Sequence, residues 1–573
     1  MRVLLLLTSF NALSQRLFVE LGERGYEVSV EIDVNDARTI EAVDLFQPDL
    51  VIAPFLKRAI PAEVIENQVC MIVHPGIVGD RGPSALDWAM MDGEPEWGVT
   101  VLQAAREMDA GPVWASASFP MRRSTKSSLY RNEVTEAAVA SVFEAVDRFQ
   151  AGGRPVAAEE VAVKRWGRWR DGIRQADREI DWQADATETV LRKIAAADGV
   201  PGVRDTLFGE AVFLFDAREA AGLPRADPGS VTTTSGPAIA RATTDGAVWI
   251  GRVRRSASQQ PFKLPASLAF APEVRDLPEI ALNSGQGYRD IFYEEDGAVG
   301  FLHFPFYNGA MGTDACKRLH QAYRDAVQRP TKVLVLCGGQ EFWSNGLDLT
   351  LIEAATSAAD ESFANICAID DLSEAIIRTQ SHITIAALSG NAGAGGVFLA
   401  RAADQVWLRS GVILNPHYKD MGNLYGSELW TYLLPRHCGA ENARRIVGAR
   451  LPMGAREAVD IGLADRLLSG ARDGFLADIC ALTAALADDA DFSQMLAQKQ
   501  ARRAADEAQK PLSAYREEEL ARMRRNFYGF DPSYHVARHN FVHKVPKSRT
   551  PVTVARHRDL TWQAGSAGRR KAS

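Results

Sequence analysis

The chain has 573 residues, a length that ordinarily divides into about three or four domains, and 46% of its residues are apolar, enough for large cores. A net charge of −8 argues against a nucleic-acid surface. Six scattered cysteines without a CxxC pair argue against a disulfide framework or zinc finger and for a reducing compartment. No apolar run is long enough to span a bilayer, so the expectation is a cytoplasmic protein with neither membrane nor nucleic acid as partner.

MRVLLLLTSF resembles a signal peptide only superficially. Its apolar run is short and no small-residue cleavage site follows, so a buried first strand is expected. LSQRLFVELGERG then reads as a helix, YEVSVEI as a strand, DARTIEAVDLF as a helix, and PDLVIAPF and CMIVHPG as strands. Alternation of this kind predicts an open, mostly parallel, Rossmann-like sheet over residues 1–160, with ligands at the carboxyl ends of strands. REIDWQADATETVLRKIAAA predicts a strand entry and a helix, and the Gly-, Pro- and Thr-punctuated segments up to about 280 predict short strands. Residues 161–280 thus read as a small β-rich (OB-like) accessory domain. A second α/β pattern starts near 288 with GAVGFLHFP, TDACKRLHQAYRDAVQR, TKVLVLCGG, HITIAALSG and ADQVWLRSG, giving a domain over 281–480. ARRAADEAQK and REEELARMRRNF read as solvated helix faces in a helical extension over 481–545. The basic, apolar-poor stretch 546–573 reads as a mobile tail.

Two stretches carry chemistry. The first, VHPGIVGDRGPSALDWAMMDGEPEWGVTVLQAAREMDAGPVWA, puts His74 at a strand end and Asp109 in a later Asp-Ala-Gly turn. A strand-end imidazole with a carboxylate near it suits acid–base work, although a lone strand-end His is more often structural. The order of motifs resembles the 10-formyltetrahydrofolate-dependent formyltransferases: His74, Pro75, Arg81, Gly82, Asp109 and Gly111 match, and PDLVIAPFLKRAIPAEV resembles their folate-binding strand and loop. The resemblance covers roughly residues 1–260 and implies catalytic roles for His74 and Asp109, with Phe55, Leu56, Arg81 and Gly82 binding 10-formyltetrahydrofolate. The catalytic Asn of that family falls on Ile72, which has no donor for the formyl oxygen. Loss of one such donor typically costs about 10²–10³ in rate.

The second stretch, GNAGAGGVFLARAAD, places four glycines in seven residues before a helix. Its spacing is wrong for a dinucleotide fingerprint, and no Gly-Lys-Ser/Thr makes it a P-loop. FLHFPFYNGAMGTDACKRLHQAY, LVLCGGQEFWSNGLDL, ITIAALSGNAGAGGVFLARAAD and ENARRIVGARLPMGAREAVDIGLADRLL instead resemble the crotonase (enoyl-CoA hydratase/isomerase) superfamily, in order, over about 288–470. That likeness implies an oxyanion hole made by the N–H groups of Leu347 and Gly395, and coenzyme A contacts near Gly346, Asp348, Gly390 and Gly426. The glutamates that activate water in hydratases fall on Phe398 and Tyr418, so hydration of an enoyl-CoA is not expected. In NPHYKDMGNLYGSELW the remaining candidates are His417, Tyr418, Tyr425 and Glu428. Tyr418 inherits a catalytic position, and Glu428 either faces the same pocket or is only a helix-start carboxylate.

His535, His539 and His543 repeat every four residues, which is metal-ligand spacing, but no Asp, Glu or Cys accompanies them at ligand spacing, and no metal is expected. A formyl-folate site and an acyl-CoA site on one chain imply formyl-CoA as a shared intermediate. The whole order resembles the HypX/HoxX-type hydrogenase maturation factors. That resemblance implies carbon monoxide production, with NiFe-hydrogenase maturation proteins or the hydrogenase large subunit as candidate partners. Two alternatives stand beside it: an amine formyltransferase with a non-catalytic crotonase scaffold, and a CoA-binding assembly module.

Overall fold

Uncharged apolar runs become inner strands, because a parallel sheet buries both of its faces. In the computed structural model, which describes residues 1–257 and 260–563, Arg2–Leu7 (β1), Glu27–Ile32 (β2), Leu50–Phe55 (β3), Cys70–His74 (β4), Glu96–Gln103 (β5) and Val113–Pro120 (β6) form one sheet. Its order is β2-β1-β3-β4-β5-β6, with β1 to β4 parallel and β5 and β6 antiparallel. Val3–Leu7 are at most 1% exposed, so MRVLLLLTSF is the buried strand its composition predicts. The helix Ala12–Glu23 starts at Asn11, whose side chain accepts from the Ser14 N–H. His74 is the last residue of β4 and pairs with Thr100 of β5, which puts its ring at the carboxyl edge of the sheet.

The accessory region is an antiparallel sheet. Its strands lie in the order Val203–Leu207, Glu210–Glu219, Ala247–Arg255, Ala238–Ala242 and Val231–Ser235. The expected strand entry at REIDW is absent: Ala176–Arg178 form a 3₁₀ turn, and the first long element is the helix Thr187–Ala197. Trp182 explains the difference. Its Nε1 donates to Asp205 Oδ2 and its ring carries the Arg241 guanidinium at 3.9 Å, so this stretch caps the sheet instead of joining it.

The described residues divide into two compact units, one with Met1–Ala257, Pro265–Pro278 and the segment from Pro546, the other with 260–264 and Glu279–Val545. In the second unit the strands run Phe292–Asp296, Val299–His303, Val333–Gly338, Ile383–Leu388, Gln405–Arg409 and Arg466–Leu468 in spatial order, parallel after the first pair. A smaller sheet joins Phe342–Ser344, Asn391–Gly393, Ile413–Asn415 and Met453–Gly454. The late helices Phe492–Gln509 and Leu512–Tyr528 are not merely solvated: Lys499, Arg503, Glu519 and Met523 are buried, as Asp370 is on the long helix Ala358–Arg378. Lys499 Nζ donates to Asp404 Oδ2 at 2.6 Å, which anchors the helix Phe492–Gln509 to the loop before the strand Gln405–Arg409.

The expectation of a mobile basic tail over 546–573 is corrected for residues 546–563, while 564–573 lie outside the described residues. Ile32 N donates to Thr550 Oγ1, and Val30 N donates to Val554 O. His557 is fully buried between Ser29 and Glu31, and Arg558 grips both Glu31 and Glu41. Basic residues that look solvated in the sequence are the partners of a buried carboxylate on the edge strand β2.

Burial alone would raise the Glu31 carboxyl, but hydrogen bonds from His557 and Arg558 outweigh it and hold it below its usual range. A lowered carboxyl contributes stability above its unfolded titration range and loses it as pH falls through the folded value. Glu31→Gln should therefore destabilise the first unit by about 1–3 kcal/mol near neutral pH, because His557 and half-buried Arg558 lose the anion they hydrogen-bond and Arg558 keeps only Glu41. Urea unfolding should show that gap closing as the buffer is taken into the acid range.

Candidate active sites

The first site is built where β4 ends. His74 is 5% exposed, and each ring nitrogen faces a carboxylate: Nε2 lies 2.9 Å from Asp80 Oδ1, and Nδ1 lies 3.5 Å from Asp109 Oδ2. Asp109 sits at φ +52°, a left-handed conformation that Asp tolerates better than most residues, and its Oδ2 also accepts from Gly82 N at 3.1 Å. The expected His74–Asp109 pairing is thus present, although looser than the pairing with Asp80. A Cβ on Gly76 would lie 2.3 Å from His74 Nε2, so only glycine lets the chain pass over the ring. Asp80 Oδ2 is buried with no protein partner among the described residues.

The remaining expected residues of this site fall around it. Phe55 ends β3, packs edge-on against Tyr130, and is followed by half-buried Leu56. Tyr130 opens a π-helical turn, Tyr130–Val134, a distortion often found at functional sites, and burial pushes its hydroxyl up to about 12. Arg81 reaches outward to Glu107 at 2.9 Å. Gly82 lies under Arg170, whose carbonyl would meet a Cβ at 2.1 Å. Ile72 packs within β4 between Ala53 and Leu102 and brings no polar atom to the site.

The second site gathers around Gly395. The glycine stretch makes the strand Asn391–Gly393 and then the helix Gly395–Arg401, so the expected helix start is correct. Gly346, at φ +74°, is packed so closely that a Cβ there would lie 3.3 Å from Gly395 N, which brings the two loops carrying Leu347 and Gly395 side by side. Among the described residues, neither the Leu347 nor the Gly395 N–H donates to a protein acceptor.

Glu428 closes this site. It is fully buried at φ +59°, just before the helix Trp430–Ala449, and so is not part of that helix. Its Oε1 has no protein partner among the described residues and would lie only 2.1 Å from a Cβ on Gly395. Tyr418 Oη donates to Oε2 at 2.5 Å, and the Tyr418 ring stacks on Phe398 at 5.3 Å. Phe398 therefore forms the apolar floor beneath the tyrosine. Gly426, at φ +90°, admits the Tyr418 ring, which a Cβ would strike at 2.1 Å. Gly390 backs onto the Glu341 carbonyl. Asp348 Oδ1 caps the helix Leu349–Ala354 by accepting from Thr350 N and Leu351 N, so part of this expected contact residue serves the fold. Tyr425 packs on Trp430, and His417 is buried with Nδ1 unpartnered, its imidazolium disfavoured by desolvation.

Two residues behind Glu428 are invisible to motif reading. Asp370 accepts from the Glu428 N–H and from Ser427 Oγ, both at 2.7 Å, and Glu519 accepts from Leu429 N and Thr431 N. These bonds clamp the positive-φ turn that presents Glu428. Burial, then the charge of Asp370, pushes the Glu428 carboxyl up to about 8; burial pushes Asp370 up to about 7. Burial raises Tyr418 well above its ordinary value, and an ionised Glu428 raises it further, so it remains a donor at neutral pH.

Gly395→Ala should push Glu428 aside and destabilise the second unit by about 1–3 kcal/mol through overpacking. A structure of the variant should show the carboxylate displaced from its wild-type position, and an unmoved Glu428 would contradict the contact.

Comparison with known proteins supplies the context. Residues 27–146 match the formyl transferase family model, 172–261 the formyl transferase C-terminal domain, and 302–528 the enoyl-CoA hydratase/isomerase family. The hydrogenase maturation factor HoxX of Bradyrhizobium diazoefficiens is 59% identical over 563 residues, 97% of both chains. The methionyl-tRNA formyltransferase of Dechloromonas aromatica is 23% identical over 239 residues, 41% of this chain and 75% of that one. The crystal structure of HypX from Aquifex aeolicus in complex with tetrahydrofolic acid superposes with a TM-score of 0.94 at 45% identity, covering 98% of this chain and 99% of that one.

Proposed function

Because the chain belongs to the HypX/HoxX family of hydrogenase maturation factors, joining formyl transferase domains to an enoyl-CoA hydratase/isomerase domain, we propose that it makes carbon monoxide for the iron of NiFe-hydrogenase in two steps. In the first, the formyl group of 10-formyltetrahydrofolate passes to the thiol of coenzyme A. The N10–C bond breaks, a C–S bond forms, and the thiol proton ends on N10. In the second, formyl-CoA loses its formyl proton and its C–S bond, the proton ends on sulfur, and carbon monoxide leaves. Coenzyme A is regenerated, and no oxidant or reductant enters. Formyl-folate and coenzyme A are substrates in this scheme, not resident groups.

For the first step, His74 moves the proton between thiol and N10 while Asp80 and Asp109 orient its ring. The tetrahydrofolate bound by the Aquifex aeolicus relative supports folate as the donor. An Ile at position 72, with no amide donor, weighs against ordinary amine formylation.

For the second step, the Leu347 and Gly395 N–H groups hold the thioester oxygen, as their adjacent, unpartnered placement allows. Glu428 Oε1, buried, unpartnered and against Gly395, is the observation that carries the reading: it is the base for the formyl C–H. Tyr418 Oη holds the other oxygen and keeps the carboxylate aimed. Low dielectric strengthens the base, because an anion that burial disfavours gains by taking a proton. Phe398 keeps water away from the thioester, consistent with a hydratase-type fold that does not hydrate. Hydrogenase maturation proteins or the hydrogenase large subunit are the proposed recipients.

Purified protein given synthetic formyl-CoA tests the second site alone. Glu428→Gln should lower carbon monoxide release by about 10²–10⁴. A base must be ionised, so wild-type release should rise as pH climbs through about 8, and that limb should vanish in the variant. His74→Ala should leave release from formyl-CoA unchanged and abolish its formation from formyl-folate. Equal rates in Glu428→Gln and wild type would overturn the assignment.

A further inference from the structure

In the second unit the helices Ser533–Val542 and Leu349–Ala354 bring three metal-type donors together outside either site. Glu353 Oε1 lies 2.8 Å from His539 Nδ1 and 3.3 Å from His543 Nε2, and the three donor atoms all fall within 4.8 Å of one another. No carboxylate sits at ligand spacing in the sequence because this one arrives from a helix 186 residues earlier. The three-histidine stripe also divides. His535 turns away, its Nε2 pairing with Phe527 O at 2.9 Å and its Nδ1 with Arg538 Nη1 at 2.8 Å. Two histidines one turn apart and a carboxylate from a second helix escape the crowding of a purely local three-histidine set.

We propose that Glu353, His539 and His543 form a binding site for a divalent transition-metal ion of the zinc or cobalt class. Donors bound at about 2.0–2.1 Å around one tetrahedral ion stand roughly 3.3 Å apart, so both measured oxygen–nitrogen separations need only small adjustment. The carboxylate is already oriented: Glu353 Oε2 accepts from Arg538 Nε at 2.7 Å, and Arg538 is itself 6% exposed and held by His535. Metal-binding carboxylates and imidazoles commonly have such outer hydrogen bonds. The Arg538 guanidinium holds Oε2 and leaves Oε1 facing the two histidines.

Exposure grades the site. The Glu353 side chain is 11% exposed, that of His543 21% and that of His539 53%, so the ion has an inner anchor and an outer entry. Imidazole and carboxylate donors without thiolate suit zinc, cobalt, nickel or copper better than magnesium or calcium. A bound ion would fasten the helix Ser533–Val542 to the helix that begins directly after Leu347 and Asp348.

Full-length protein treated with chelator and dialysed should be titrated with Zn²⁺ by calorimetry and with Co²⁺ by visible absorption. One ion per chain is expected, with a low-coordinate cobalt spectrum. His539→Asn, His543→Asn and Glu353→Gln should each weaken zinc binding at least about 100-fold, whereas His320→Asn, outside the cluster, should bind as wild type does. Zinc should also protect His539 and His543, but not His320, from diethyl pyrocarbonate in the wild-type chain, which decides the matter without any variant. Unchanged zinc affinity in the His539→Asn/His543→Asn double variant, no wild-type binding below millimolar zinc, or no protection of the two histidines would overturn the site.

Discussion

The second unit is organised around one fully buried carboxyl group. Glu428 has one oxygen bonded to Tyr418 and the other free against Gly395, at a backbone angle that most residues avoid. Such a group is stable only if the surroundings over-determine it. Asp370 and Glu519 do so through the backbone N–H groups around the turn, and Arg516 lies 3.8 Å from Asp370 to offset the gathered negative charge. The helices Ala358–Arg378 and Leu512–Tyr528 thus have a chemical reason to be packed against this turn: each supplies one of its acceptors.

An enclosed polar group recurs in the first unit, with different partners. There the central group is an imidazole between Asp80 and Asp109, and glycines at 76 and 82 let the loop close over it. Both sites use glycine for approach rather than flexibility. A methyl group at 76 would meet His74, and one at 395 would meet Glu428. Under the proposed function these enclosures do complementary work, one moving a formyl group onto sulfur and the other taking the formyl group apart.

Much of this was legible in the sequence because parallel sheets advertise themselves as apolar runs and because the formyl transferase and crotonase motifs are local. His74 ends a strand, Gly395 opens a helix, and Asp109, Tyr418 and Glu428 lie in loops, each within a short motif-bearing stretch. Residues that act from helices were not legible as functional. Asp80, in the GDRG loop, has no motif position that distinguishes it from a turn residue. Asp370 follows Ile366 and Ile369 on the buried face of its helix, and Glu519 stands in line with Leu512, Met523 and Phe527. A carboxylate at a core position of a helical stripe was the available signal, but charge counting made REEEL look like solvent-facing helix. The C-terminal segment failed for a related reason: composition shows that Arg558 and His557 are basic, not that Glu31 waits for them on an edge strand. Glu353 joins His539 and His543 only in the fold, since no local spacing connects residues so far apart.

The central claim is that the formyl carbon of folate leaves this protein as carbon monoxide with coenzyme A as an intermediate carrier. The most direct measurement supplies the purified chain with 10-formyltetrahydrofolate labelled with ¹³C in the formyl group, together with a catalytic amount of coenzyme A, and traps the gas on a reduced haem protein. Labelled carbon monoxide should accumulate well beyond the coenzyme A added, with tetrahydrofolate formed in equal amount, and omission of coenzyme A should stop it. Label recovered only as formate or as unreacted formyl-folate would contradict the account.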